Sequence, residues 1–324
     1  MALLLSEADV RAVLTMPVAL DAVEQAFRHL ADGTALLHPR RRFALPEKVF
    51  LHYMAAADTE TGYAGLKIYT SARGSVRFLV PLYRTRTGEL VALLEADYLG
   101  QMRTGAASGI ATKYMARADA TTAGIIGTGL QARTQLEAIA AVRQLSSVRA
   151  YSRNPERRAQ FAREMTERLQ LPVYPAGSAE EAVREAEIVV TATNSSTPVL
   201  LGRWLAPGTH VNAIGANFPQ KRELDEEAVR RAGIIAVDSR EQAMLESGDL
   251  LAAFGGLEAS AWMVVRELAD IVAGRVPGRT DARQVTLFKS NGVAVEDVAV
   301  AARVVELAQE RGLGTRLPLF EHCG

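Results

Sequence analysis

Gly127, Gly129 and Ala132 stand at the spacing G-x-G-x-x-A, directly after the apolar run 123–126 and directly before a helical pattern. Each small residue has its own job in such a turn. The first glycine permits the tight bend, the second lets the backbone approach a pyrophosphate, and the third lets helix and strand pack closely. The N-terminus of the following helix offers free N–H groups and partial positive charge to a phosphate. Gly127, Thr128, Gly129, Leu130 and Gln131 are therefore expected to hold a dinucleotide. Alone the motif is weak, because glycines at strand–helix turns commonly serve geometry only; its position at the head of a series of strand–helix–strand units gives it weight. The next strand bears on which dinucleotide. An NAD site ordinarily ends that strand with Asp or Glu, which bonds the ribose hydroxyls. Here residues 151–158 read YSRNPERR, with no acid before Glu156. Ser152, Arg153 and Asn154 fill the position, with Arg157 or Arg158 behind them. Basic residues at a helix start oppose its dipole, so an anionic ligand makes sense of them; the alternative is a solvated basic helix start. NADP(H) is the expected cofactor, and NAD(H) stays possible.

Such a turn needs a parallel sheet to carry it. Strands are expected at 123–126, 148–152, 188–193, 210–214, 234–238 and 286–289, with helices at 131–145, 154–170, 178–186 and 225–233 between them. This alternation argues a doubly wound parallel sheet. Ligands of such sheets lie at the carboxyl ends of the strands, so Thr191, Ala192, Thr193 and Asn194 are expected to line the cofactor cleft. Before residue 119 the texture differs. Ser6 with an acid three residues on is a capping-box signature, and Pro17 and Gly33 bracket a second helix. Apolar segments at 48–57, 62–70, 77–85 and 89–97 read as strands of one mixed or antiparallel sheet. A helix over 99–117 carries Gly105, Ala106, Ala107, Ser108 and Gly109, which leaves room for close packing. The last helix, 295–311, is expected to return to this first domain. The expected fold class is thus α/β: a Rossmann doubly wound sheet over 119–292, inserted in a second α+β domain made of 1–118 and 293–324.

Composition excludes several function classes. Lys+Arg and Asp+Glu balance at 37 each, so no large-scale field would gather nucleic acid or an anionic membrane. One cysteine, Cys323, can form neither an intrachain disulfide nor a cysteine-rich metal site. The five histidines, His29, His38, His52, His210 and His322, show no metal-ligand spacing, and no metal is expected. The start of the chain has no positive leader, and no segment approaches the ~20 apolar residues of a membrane span. A cytoplasmic protein is expected.

The motifs QMRTGAASGIATKYMAR and GIIGTGLQA, close together, resemble the ornithine cyclodeaminase and mu-crystallin family. The resemblance continues through GLKIYT, TATNSSTPVL, HVNAIGAN, KRELD and KSNGVAVEDVAVAA, in order along nearly the whole chain. It implies a Rossmann domain inserted in a substrate-binding and dimerisation domain, a homodimer, and NAD(P)-linked chemistry at the carbon next to a carboxylate. Substrate-binding residues implied by the resemblance are Arg41, Lys67 and Arg103, with Met54 beside the substrate. Arg offers a planar fork for a carboxylate, and Lys is a compact charge that can also donate a proton. Arg41 is flanked by Arg40 and Arg42, and the register is open by one position. A lysine within a strand is commonly an edge or solvent-facing residue, and Met54 serves equally well as core filler. Thr104, next to Arg103, is expected at the cofactor. Asp297 matches an acid near the nicotinamide, although an acid at a helix start is favourable for its dipole alone.

Two positions depart from the ornithine-cyclising members of that family. Asn217 stands where they carry an Asp that manages the proton of the amine, and His52 where they carry a Glu that holds the distal amine. An amide has no useful proton affinity, and a charged histidine would repel an ammonium. Lys67, Asn217 and Asp297 are therefore expected to serve NADPH-dependent reduction of small 2-imino acids, including cyclic ketimines. A 2-amino-acid dehydrogenase, a cyclodeaminase and a non-catalytic binding protein are the alternatives.

Overall fold

The computed structural model describes residues 2–72, 75–258 and 260–319. Cys323 and His322, read above, lie outside the described residues. In chain order the first elements are β1 (Ala2–Leu5), α1 (Glu7–Val13), α2 (Met16–Asp32), β2 (Ala35–Ala44), β3 (Phe50–Asp58), β4 (Tyr63–Ala72), β5 (Ser75–Arg84), β6 (Leu90–Glu95) and α3 (Asp97–Met115). Then come β7 (Thr122–Ile126), α4 (Leu130–Val142), β8 (Ser147–Tyr151), α5 (Pro155–Leu169), β9 (Val173–Pro175), α6 (Ala179–Val183), β10 (Ile188–Thr191), β11 (His210–Ala213), α7 (Glu226–Arg231), β12 (Ala232–Val237), α8 (Arg240–Glu246), α9 (Gly248–Phe254), β13 (Arg266–Glu267), α10 (Leu268–Val272) and β14 (Val285–Lys289). The chain closes with α11 (Ala294–Glu310) and β15 (Thr315–Leu317).

Two compact units result, one of residues 1–104 and 292–324, the other of residues 105–291. The last helix falls in the first unit, and the boundary between the units falls inside α3. Packing explains that boundary. A Cβ on Gly105 would stand 2.4 Å from the Thr134 carbonyl oxygen, so the helices approach to backbone contact there. Asn212 Nδ2 donates to the Thr112 hydroxyl (3.0 Å), and Arg143 Nη2 donates to the Thr112 carbonyl (2.8 Å). These partners tie the C-terminal half of α3 to the second unit.

In the first unit, the sheet runs β15-β1-β6-β5-β4-β3-β2. It is mixed: β1 pairs parallel with β6, and the remaining pairs are antiparallel. The Ser6–Asp9 capping box forms as expected, and Gly33 caps α2 at φ 75°. Along β3, His52, Met54, Ala56 and Asp58 alternate inward, the period of a half-buried strand. Helices α2 and α11 supply the apolar cover, with Val298, Val300, Val304 and Phe27 buried. The opposite face leaves Leu36, Phe43, Ile68 and Leu79 exposed.

In the second unit the sheet runs β13-β12-β14-β11-β10-β7-β8-β9, and every pair is parallel. Reading out from β7, the order reverses between β7 and β10, which is the switch point of a doubly wound sheet. One buried cluster holds Ile125, Leu136, Val148, Phe161 and Val190, and a second holds Ile126, Val189, Val211, Ile235 and Leu287. Covered on both faces, these strands have near-continuous apolar runs rather than alternation, which is why they were readable as short apolar blocks. Strands β9 and β13, with three and two residues, had no such signal. Among the described residues no helix is long and apolar enough to cross a membrane.

Candidate active site

Strand β4 points Lys67 into the first unit, directly across the ladder from Met54 on β3. Lys67 is 2 % exposed, and its ammonium donates to Asp297 Oδ1 on α11 at 2.8 Å. Arg103 Nε donates to the same oxygen at 3.1 Å, and its Nη1 donates to Glu296 Oε2 at 2.7 Å. A Cβ on Gly100 would sit 3.1 Å from Lys67 Nζ, and one on Gly292 (φ +78°) 2.7 Å from Arg103 Nη1, so both glycines make room for cations. Lys67 Nζ also lies 4.5 Å from the centre of the Phe78 ring. Burial, then the Arg103 guanidinium, bring the Lys67 ammonium down from 10.5 to about 8, against the pull of Asp297.

The third cation is Arg40. Its Nη2 donates to the Gly292 carbonyl at 3.2 Å and to Met54 Sδ at 3.7 Å. This corrects the expectation for Arg41, which is exposed on the outer face of the sheet. The physical reason is a β-bulge. Strand register shifts between His38 and Arg41, so Pro39 and Arg40 together oppose Met54 while Arg41 pairs with Tyr53. Strand β2 is a sheet edge, where a proline is tolerated. Lys67 and Arg103 pair with the Asp297 and Glu296 carboxylates, and Arg40, buried with them in the first unit, donates to the Gly292 carbonyl. Asp297 Oδ2 is buried with no hydrogen-bond partner, so the cluster also retains an acceptor.

His52 lies two residues from Met54 on the same face. Its ring stacks on Tyr69 at 4.3 Å, Arg42 Nε donates to Nδ1 at 3.3 Å, and Nε2 lies 2.9 Å from the Ser71 hydroxyl. With Nδ1 accepting, Nε2 carries the proton. Burial, then Arg42 and Arg40, push the imidazole down to about 4, so it is neutral at pH 7.

The second unit carries the glycine turn at the carboxyl end of β7. Gly127 has φ +105°, a left-handed conformation that favours glycine, and a Cβ there would stand 2.3 Å from the Ala192 carbonyl oxygen. Gly129 opens α4 with nothing within 4 Å of its Cβ position, and Leu130 beside it is exposed. Arg133 Nη1 donates to the carbonyls of Thr128 and Gly129, which fixes the turn. Gln131 Oε1 is buried without a hydrogen-bond partner. An open cradle, a helix start and an orphaned acceptor fit a dinucleotide phosphate and its neighbouring hydroxyls.

At the end of β8, the Thr128 hydroxyl donates to Ser152 Oγ (2.9 Å), which itself donates to the Asn154 carbonyl. Asn154 caps α5 by accepting from the Arg157 amide (2.8 Å), which gives that side chain a structural role. Arg158 is turned back onto the Ser152 carbonyl and over the Tyr151 ring. Arg153 and Arg157 are exposed at the helix start, and no carboxylate stands at the strand end. Thr104, placed at the cofactor by sequence, donates its hydroxyl to the Gly100 carbonyl within α3.

Beyond β10, Thr193 turns inward. Its amide and its hydroxyl both donate to Glu223 Oε1, at 2.6 and 2.7 Å. The Thr191 hydroxyl and the Gly215 amide donate to Glu223 Oε2, at 2.9 and 2.6 Å. Asn194 is exposed and Asn217 half-buried. Arg40 lay within the one-position register left open around Arg41, whereas Glu296, Glu223 and Lys289 were not singled out from the sequence. Two acids inside the apolar run GVAVEDVAVAA were a signal for Glu296; the signal for Glu223 was its place in the family motif KRELD, where the neighbouring charges otherwise read as surface. Among the described residues no group of three or more His, Cys, Asp or Glu could hold a metal ion.

Residues 1–312 match the model of the ornithine cyclodeaminase/mu-crystallin family. The chain is 42% identical over 262 residues to a Δ1-pyrroline-2-carboxylate reductase of Bacillus cereus, covering 78% of this chain and 80% of that one. The structure of Thermococcus litoralis Δ1-pyrroline-2-carboxylate reductase in complex with NADH and L-proline superposes with TM-score 0.92, at 38% identity, over 97% of this chain and 100% of that one. An archaeal alanine dehydrogenase dimer with bound NAD gives TM-score 0.92 at 35% identity, over 98% and 99%.

Proposed function

Because the chain belongs to the ornithine cyclodeaminase/mu-crystallin family, whose named relatives above are oxidoreductases, we propose that it reduces small 2-imino acids, cyclic ketimines among them, with NADPH. The observation that carries this reading is the buried cluster of Arg40, Lys67 and Arg103 with Asp297 and Glu296, in which Asp297 Oδ2 has no hydrogen-bond partner. Arg40 and Arg103 hold the substrate carboxylate with fork-shaped donors. Lys67, with its proton held near pH 8, is poised to protonate an imine nitrogen at neutral pH. Asp297 Oδ2 accepts the N–H of the resulting iminium. The nicotinamide cofactor, when bound, supplies the hydride.

Gly127, Thr128, Gly129, Leu130 and Gln131 are the residues to hold the pyrophosphate, and Arg153 with Arg157 the 2′-phosphate of NADPH. The Thermococcus reductase is solved with NADH, so the preference for NADPH rests on this chain's own strand end, which has arginines in place of an acid. Asn217 supplies no base, and neutral His52 offers no anionic grip on a distal ammonium; both favour reduction of a preformed imine over cyclodeamination of ornithine. The test is NADPH oxidation followed spectrophotometrically with cyclic 2-imino acids and with pyruvate plus ammonia or methylamine. Turnover with the cyclic imines is the expected result. Turnover with pyruvate and ammonia alone transfers the assignment to amino-acid dehydrogenation, and no turnover with any of them contradicts catalysis of this class.

A further inference from the structure

The loop between β11 and α7 carries Asn217, and its backbone is held by buried charges of both signs. Glu223 is fully buried and takes two donors on each carboxylate oxygen: Thr193 N–H and O–H on Oε1, Thr191 O–H and Gly215 N–H on Oε2. Lys289, also fully buried at the end of β14, donates to the carbonyls of Ala213 (3.3 Å), Ala216 (2.7 Å) and Ser290 (3.1 Å). Asp249 Oδ1 accepts from the Glu223 and Leu224 amides, and its Oδ2 lies 3.6 Å from Lys289 Nζ. A Cβ on Gly215 would stand 2.0 Å from the Thr193 carbonyl oxygen, so the two loops touch at backbone distance. These loops have no sheet or helix to satisfy their buried amides and carbonyls, and the side-chain charges do that instead.

We propose that Glu223, backed by Lys289, is a positioning residue of the dinucleotide site: one carboxylate locks the end of β10 to the loop after β11 and so sets Thr193 and Asn217. This rests on the dinucleotide reading of the glycine turn, whose Gly127 packs on the Ala192 carbonyl of the same β10 end. Glu223 touches neither substrate nor cofactor in this account; it acts through the loops it joins.

The substitution Glu223→Gln separates positioning from bulk stability. It preserves volume, but its amide NH₂ must face two donors. A hydroxyl can rotate to accept from it, whereas the Thr193 or Gly215 amide cannot, so one loop is released. Dinucleotide binding is read by fluorescence titration, and melting temperature is measured without dinucleotide. The expected result for Glu223→Gln is at least about tenfold weaker binding, an unsatisfied donor being the cause. The comparison variant Val229→Ala, in the buried face of α7, should lower the melting temperature by a few degrees while leaving affinity within about twofold. If Glu223→Gln does not fold, Thr191→Val removes a single hydroxyl donor and should weaken binding by about threefold, the size of a modest hydrogen bond. Unchanged affinity in the folded Glu223 variant, or equal loss in both it and Val229→Ala, overturns the proposal while leaving the function intact. A wild type that binds neither NADPH nor NADH overturns the reading of the turn and this inference with it.

Discussion

The proposed reaction assigns proton donation to Lys67. Lys67→Ala removes both a carboxylate contact and a proton donor, so turnover should fall by roughly 10²–10⁴-fold with dinucleotide affinity retained, as a steady-state assay beside a titration would report. Lys67→Arg should not restore it, because a guanidinium keeps its proton at working pH. The pH profile has a definite sign. Lys67 is charged below about 8 and neutral above, so kcat/KM for imine reduction should decline as pH rises through that value. Arg40 and Arg41 give a second test. Arg40→Ala should raise KM for the imino acid by about tenfold or more, the loss of one charge-assisted contact, and Arg41→Ala should leave it within about twofold. The opposite ranking would restore the register expected from sequence. That register was illegible because a bulge at Pro39–Arg40 moves one arginine inward without any change in residue type. Lys67, Arg103 and Asp297 were legible only through the family motifs, since a lysine in GLKIYT reads equally well as solvent-facing.

At the level of elements, the proposed preference for NADPH rests on the start of α5. Asn154 caps that helix and Arg158 folds back on Ser152, so Arg153 and Arg157 are the exposed cations there. Arg153→Asp should weaken NADPH binding at least about tenfold and leave NADH nearly unchanged, because it removes a phosphate partner and adds repulsion. Equal or tighter NADH binding by the wild type would contradict the preference. Six strands of the second unit were legible to within two residues because each is a short apolar run marked off by small or polar turn residues; the expected helices at 131–145 and 178–186 overran α4 and α6 by three residues, and α8, α9 and α10 were not assigned. Strand β2 was not assigned from sequence: ALLHPRRRFA holds a proline and three arginines, and only its edge position and bulge allow it to pair. The division inside α3 was also hidden, since a run of small residues reports close packing but not which neighbour it packs against.

For the whole molecule, the exposed apolar face of the first unit, with Leu36, Phe43, Ile68 and Leu79, suits a second copy of the chain, and the archaeal alanine dehydrogenase is a dimer. Light scattering should give twice 34.9 kDa, and Ile68→Glu should shift the population toward monomer; a wild type of 34.9 kDa alone would contradict the assembly. The central claim is that the buried cation cluster serves a preformed imine. One paired assay addresses it most directly: the same enzyme sample is given Δ1-pyrroline-2-carboxylate with NADPH, and separately L-ornithine with NAD⁺, and proline is quantified in both. Proline is expected from the imine, with negligible proline from ornithine. Robust conversion of ornithine, with the imine left unreduced, would contradict it.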